Sequence, residues 1–210
     1  MRFWVKQVLA EYLRHRWFIA VFVIMFFCMG IFFGATAART ISIDQSNYLA
    51  GYFNSFLDKV TTTPVSEQMY FRHSVMTNLY IMLGIYGLGL TVIGIPLVLV
   101  AVFTRGFILG FTIGFLVREK AVKGLIFAFI SVLPHNILVI PAVIAGGVIS
   151  LSYSAMMVKR KIFAHNSSSG GQFGLYTAVM SILCLAAAIA GFVEAYVTPV
   201  IIKTAAAWIR

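Results

Sequence analysis

The sequence predicts an all-α fold: a polytopic membrane bundle of about five transmembrane spans with one amphipathic extracytoplasmic helix. Of its 210 residues, 61% are hydrophobic and only 10% charged, and the mean hydropathy is +0.96. Soluble globular domains carry about a quarter charged residues, so this balance belongs to chains whose solvent is hydrocarbon. The apolar residues also come in runs near the length of a spanning helix, about 20 residues. Finally, the sixteen Lys and Arg residues cluster between those runs, as membrane flanks do. The net charge of +10 is therefore read as flanking charge rather than as a nucleic-acid surface. Cys28 and Cys184 both sit inside apolar runs, where a thiol behaves as a small hydrophobe.

Residues 1–16 form a basic amphipathic segment with Arg2, Lys6, Arg14 and Arg16, expected in the cytoplasm. Span 1 follows at 17–37. Its "ATA" end imitates a signal-peptide cleavage site, but the apolar run exceeds the roughly 7–15 residues of a signal core, so it is read as an uncleaved span. Residues 38–74 are the one sizeable polar segment, expected outside, and 75–210 make up the membrane bundle with spans 2–5. Span 2 is placed at 76–103, closed by Arg105. A short run at 106–117 precedes the charged "REKAVK" at 118–123, span 4 covers 124–150 ahead of "KRK" at 159–161, and span 5 covers 173–193 after the polar loop "HNSSSGG" at 165–171. Counting 106–117 as a span puts 118–123 outside; a re-entrant 106–117 would put it inside and 159–161 outside. The five-span count is adopted.

The outer segment opens with "SIDQ" at 42–45, Ser first and Gln three later, which is a capping-box pattern. Tyr48, Leu49, Tyr52, Phe53, Phe56, Leu57 and Val60 then recur at helical spacing. Such a face either lies on the bilayer or the protein's own spans or docks an extracytoplasmic partner. Tyr48, Tyr52, Phe53 and Phe56 are taken as partner-facing. Thr63 with Pro64 reads as a new helix start.

No HExxH, GxSxG or P-loop pattern occurs, and the outer segment offers only the scattered Asp44, Asp58, Glu67 and His73. No catalytic, cofactor-binding or metal residues are assigned, and the chain is read as non-enzymatic. Glycine spacing is more informative. Gly30 and Gly34 in span 1, and Gly106, Gly110 and Gly114 four apart, are expected to pack helices closely, within the chain or between copies. Pro134 and Pro141 flank "HNILVI" in span 4; each removes a backbone bond, and His135 and Asn136 are placed to satisfy the freed carbonyls or to serve a proton or ligand role. Glu194 follows a long uncharged stretch, 21 residues after Phe173. That is about 31 Å along a helix, so it is expected at the outer interface, hydrated or paired with the 118–123 loop, with Thr198 and Pro199 ending the span.

Together, "MGIFFG" in span 1, Asn78 and Gly84, "RGFILG" at 105–110, the "LPH…P" of span 4 and "EAYVTP" in span 5 resemble the stage II sporulation protein M family, in its sporulation branch, over nearly the whole chain. By this resemblance Gly106, Gly110, Pro134, His135, Pro141, Glu194, Thr198 and Pro199 match motif positions. The chain departs from the wider family in having Arg105 where Asn is usual, and Asn136 and Val139 where the family tends to have Gly and Glu. The resemblance implies a cofactor-free scaffold in the mother-cell septal and engulfing membrane. It would anchor peptidoglycan-degrading partners, stage II sporulation proteins D and P, during septal thinning and engulfment, with no nucleic-acid partner and with self-association possible. The competing expectation is a transporter or channel subunit with its site at a broken span 4 and Glu194.

Overall fold

The structure, a computed structural model, describes the backbone of residues 2–62, 67–163 and 169–209. Side chains are described for 17–53, 55, 71, 72, 74–132, 134–158 and 172–196. All regular structure among them is helical: α1 (Arg2–Thr40), α2 (Ile43–Thr62), α3 (Glu67–Gly89), α4 (Gly94–Phe163) and α5 (Ser169–Ile209). Thr63, Pro64 and positions 165–168 of the polar loop lie outside the described residues. Four stretches are long and apolar enough to cross a bilayer, namely Trp17–Thr40, Gly94–Val132, Pro134–Val158 and Gln172–Tyr196, and Ser74–Gly89 is a shorter apolar one. Phe18, Phe32, Ile182 and Leu185 are exposed on the outside of the bundle, as expected where lipid rather than water is the surrounding medium.

α4 is two helices in one. Ala121, at φ 48° and ψ −126°, is its one residue with non-helical torsions, and it divides a first limb, 94–120, from a second limb, 122–163. The first limb runs parallel to α1, because Gly30 faces Phe103 and Phe107, Gly34 faces Phe107 and Phe111, and Gly114 faces Ala35 and Ala38. The second limb returns beside α3, with Gly146 against Met82 and Ile85. α5 runs antiparallel to that limb, so Tyr176 meets Ser150 while Ala190 meets His135. The chain thus passes through the bundle five times. The 106–117 run lies within the first limb and is a full pass rather than a re-entrant piece.

Span 2 needs correction. The expected 76–103 helix breaks at 90–93, where Thr91 Oγ1 donates to Leu88 O at 3.0 Å and Ser154 Oγ donates to the carbonyls of Gly89 (2.7 Å) and Thr91 (3.0 Å). Gly94 is required there, since a Cβ would run into the Leu88 carbonyl. Pro96 sits in the first turn of α4, where its missing N–H costs nothing. Charge does not mark this turn, so Arg105 falls in the middle of a pass instead of at its end.

The glycine stripes are the seam between α1 and the first limb. A Cβ on Gly30 or Gly34 would strike the carbonyls of Phe103 or Phe107, and one on Gly106 or Gly110 those of Phe27 or Ile31. All five glycines pack within the chain. Lipid tails are as apolar as Leu, so helices gain little by hiding apolar area and depend instead on this kind of backbone approach and on polar contacts. At the other end Ser150 Oγ donates to Ile85 O at 3.0 Å and Tyr176 Oη to Tyr86 O at 2.8 Å, tying α3, α4 and α5 together. Val23, Met82, Ile85, Val98, Val102 and Met180 fill the centre.

Candidate functional site

Between the two limbs of α4 lies a cavity of about 330 Å³. The first limb contributes Arg105, Ile108, Leu109, Thr112 and Leu116, the second Phe127, Ser131, Val132, His135 and Asn136, α5 contributes Glu194, and α2 lays Phe53 across it. The spacing on each limb is that of one helical face, which is how a single strip of sequence lines a cleft. Arg105 is 11 residues from Gly94 and 15 from Lys120, about 16 and 22 Å along the helix. Arg105 is therefore near mid-bundle, while Leu116 and Phe127 carry the cavity toward the Ala121 turn.

Arg105 Nη2 donates to Asn78 Oδ1 at 2.9 Å. His135 Nδ1 lies 3.3 Å from Ala190 O and 3.4 Å from Glu194 Oε2; both neighbours are acceptors, which assigns the ring proton to Nδ1. Asn136 Nδ2 donates to Val132 O at 2.7 Å. Three buried polar atoms of this cluster have no hydrogen-bond partner among the described residues: Arg105 Nε, Asn78 Nδ2 and Ser131 Oγ. Arg105 and Glu194 share the cavity wall yet form no ion pair with each other. A charged side chain at the centre of a membrane helix costs about 2.5–3.5 kcal/mol on insertion scales, and such residues mark functional sites by default.

Several sequence expectations change here. His135 and Asn136 bond Ala190 and Val132, not the carbonyls of Ile130 and Ile137 that the prolines free. The helix runs on through Pro134 and Pro141, so the break in this part of the chain is at Ala121; Pro141 lines a separate apolar groove with Trp17 and Tyr153. Glu194 faces the cavity rather than the outer interface. Its partner His135 is 14 residues past Ala121, about 21 Å from the 118–123 turn, too far for an ion pair with that turn. Pro199 does not end the helix, since α5 continues to Ile209; the side chains of Thr198 and Pro199 are outside the described set. The residues not foreseen as site residues are Arg105, Asn78 and Ser131. A charge in mid-helix is their signal, and it is legible only once the 90–93 turn is recognised.

At the α2 end the capping box forms as expected, with Ser42 N donating to Gln45 Oε1 at 3.3 Å and Gln45 N to Ser42 Oγ at 3.4 Å. Ser46 Oγ donates to Glu119 Oε1 at 2.7 Å, and Phe53 meets Phe127 edge to face with ring centroids 5.8 Å apart. Ser46 and Phe53, seven apart, share the inward face. Tyr48 and Tyr52 point the other way and are 78% and 73% exposed. Phe53 is thus not a partner-facing residue: at 100° per residue it falls on the bundle side. The Phe56 side chain is outside the described set. Arg118 Nη1 donates to the carbonyls of Ala38 (3.1 Å), Arg39 (3.4 Å) and Ile41 (3.1 Å), capping α1.

No curated protein and no solved structure matches this chain. The family model described as Stage II sporulation protein M matches residues 23–199, a stretch holding most of the first pass, the other four, both glycine stripes and every residue of the cavity wall. The chain belongs to the Stage II sporulation protein M family.

Proposed function

We propose that this sporulation-family membrane protein is a non-enzymatic scaffold that holds peptidoglycan-degrading partners at the septal and engulfing membrane of the mother cell. The partners are stage II sporulation proteins D and P, met through α2. One observation carries this reading: α2 is anchored to the bundle by Ser46 and Phe53 while Tyr48 and Tyr52 stand exposed on its opposite face. Large aromatic side chains held by a fixed helix are the anchors that dominate interface energies. The absence of any nucleophile–base motif in the sequence fits a role in which the partners supply the chemistry.

The test is co-purification of proteins D and P with the detergent-solubilised full chain. Replacing Tyr48 and Tyr52 with Ser removes both anchors and is expected to abolish capture while the protein accumulates normally in the membrane. Unchanged capture would remove the outward face of α2 from the scaffold account.

A further inference from the structure

The cavity between the two limbs of α4 stands apart from the outward face of α2. Arg105 is held by a neutral amide, Asn78 Oδ1, and has no counter-ion in contact among the described residues. Glu194 lines the same cavity and is engaged by His135. In a medium of low dielectric the least costly arrangement of a guanidinium and a carboxylate is direct bidentate pairing. Here the two charges line one space of about 330 Å³ without making that contact. A ligand bearing the two opposite charges in reverse order completes that arrangement.

Two residues of the cavity wall carry a buried polar atom without a partner, Arg105 at Nε and Ser131, only 7% exposed, at Oγ. Both can donate, which suits an ionised acid group, since it offers only acceptors. Asn136, next to His135 in the chain, gives one amide N–H to Val132 O and keeps Oδ1 as an acceptor. Acceptors suit an ammonium. The rest of the wall is largely apolar, with Ile108, Leu109, Leu116, Phe127 and Val132. The volume falls within the range for small-molecule pockets, about 300–1,000 Å³.

We propose that this cavity binds a small apolar zwitterion, with its acid group on Arg105 and Ser131 and its ammonium on Glu194 and Asn136. A free apolar α-amino acid has this chemistry, and so does the headgroup of a zwitterionic aminophospholipid.

Calorimetric titration of the purified full chain in detergent tests it, with four probes: leucine, its acid-only analogue isocaproate, its amine-only analogue isoamylamine, and dihexanoyl phosphatidylethanolamine. Leucine is expected to bind saturably at one site per chain, with each single-charge analogue weaker by at least about tenfold. Saturable binding of the short-chain lipid but not of leucine upholds the zwitterion site and assigns its source to the bilayer. Arg105→Gln is expected to remove binding. Ser131→Ala, which deletes one atom from the wall, is expected to weaken it severalfold with the unfolding temperature unchanged. Isocaproate binding as tightly as leucine would make this an anion site and overturn the proposal. So would silence from both zwitterions, or full leucine affinity in either variant.

Discussion

Gly110 lies so close to α1 that a Cβ built on it would sit 2.8 Å from Ile31 Cα and collide with the Ile31 carbonyl. Backbone cannot move aside as a side-chain tip can, so any larger residue must push the two helices apart. Gly110→Leu is expected to lower the membrane level of the protein to a small fraction of wild type, read by immunoblot. Gly51→Ala is the control, since nothing lies within 4 Å of where the added methyl group would sit, and its level should be unchanged. Equal accumulation of both variants would remove the seam from the forces that hold the bundle.

Ala121 occupies a positive-φ conformation that glycine adopts freely. Such a backbone costs about 1–3 kcal/mol for a residue with a side chain, partly offset in a glycine variant by its more flexible unfolded chain. Ala121→Gly is expected to raise thermal stability in detergent by about 1 kcal/mol, and Ala121→Val to lower it. A stabilising valine would show that the turn between the limbs is not held in this conformation.

The five-pass path places Ser55 and Lys120 at one end of the bundle and Thr91 at the other. With the amino terminus in the cytoplasm, single cysteines at 55 and 120 should react with an impermeant thiol reagent in intact cells. One at 91 should not, in a background lacking Cys28 and Cys184. Labelling at 91 alone would invert the orientation, and labelling at only one of 55 and 120 would break the path itself.

Asn78 is the side chain hydrogen-bonded to the Arg105 guanidinium, at 2.9 Å. Hydrogen bonds to charged groups contribute about 1.5–3 kcal/mol, so Asn78→Leu should destabilise the protein by about 2 kcal/mol in thermal unfolding. Asn78→Asp supplies a counter-ion instead and should be at least as stable as wild type. Stability unaltered by Asn78→Leu would mean that Arg105 is satisfied elsewhere.

The helical passes and the capping box are legible in the sequence because each rests on a short-range rule: a run long enough to span, or Ser and Gln three apart. What escapes such rules is everything that needs a partner from a distant part of the chain. The turn at 90–93 is built from Leu, Thr, Val and Ile, and is fixed by Ser154 from the second limb of α4, so hydropathy passes over it. Arg118 looks like a topological signal, yet it spends its hydrogen bonds on the carbonyls of α1. The depth of Glu194 cannot be counted from the start of its own helix, because it is set by His135. The aromatic positions of α2 look like one surface in sequence, although Tyr52 and Phe53 are neighbours and diverge by more than a quarter of a turn.

The seam between α1 and the first limb of α4 also fixes an order in time. Gly30 and Gly106 are 76 positions apart, and synthesis proceeds at about 5–20 residues per second, so α1 waits several seconds before the helix that fills its notch has been made. In that interval the backbone around Gly30 and Gly34 can meet only lipid, and the first pass is held in the bilayer by its apolar length alone. The parallel direction of the two helices adds a second delay, because the first limb reaches its partner only after α2 and α3 have carried the chain out of the way and back across.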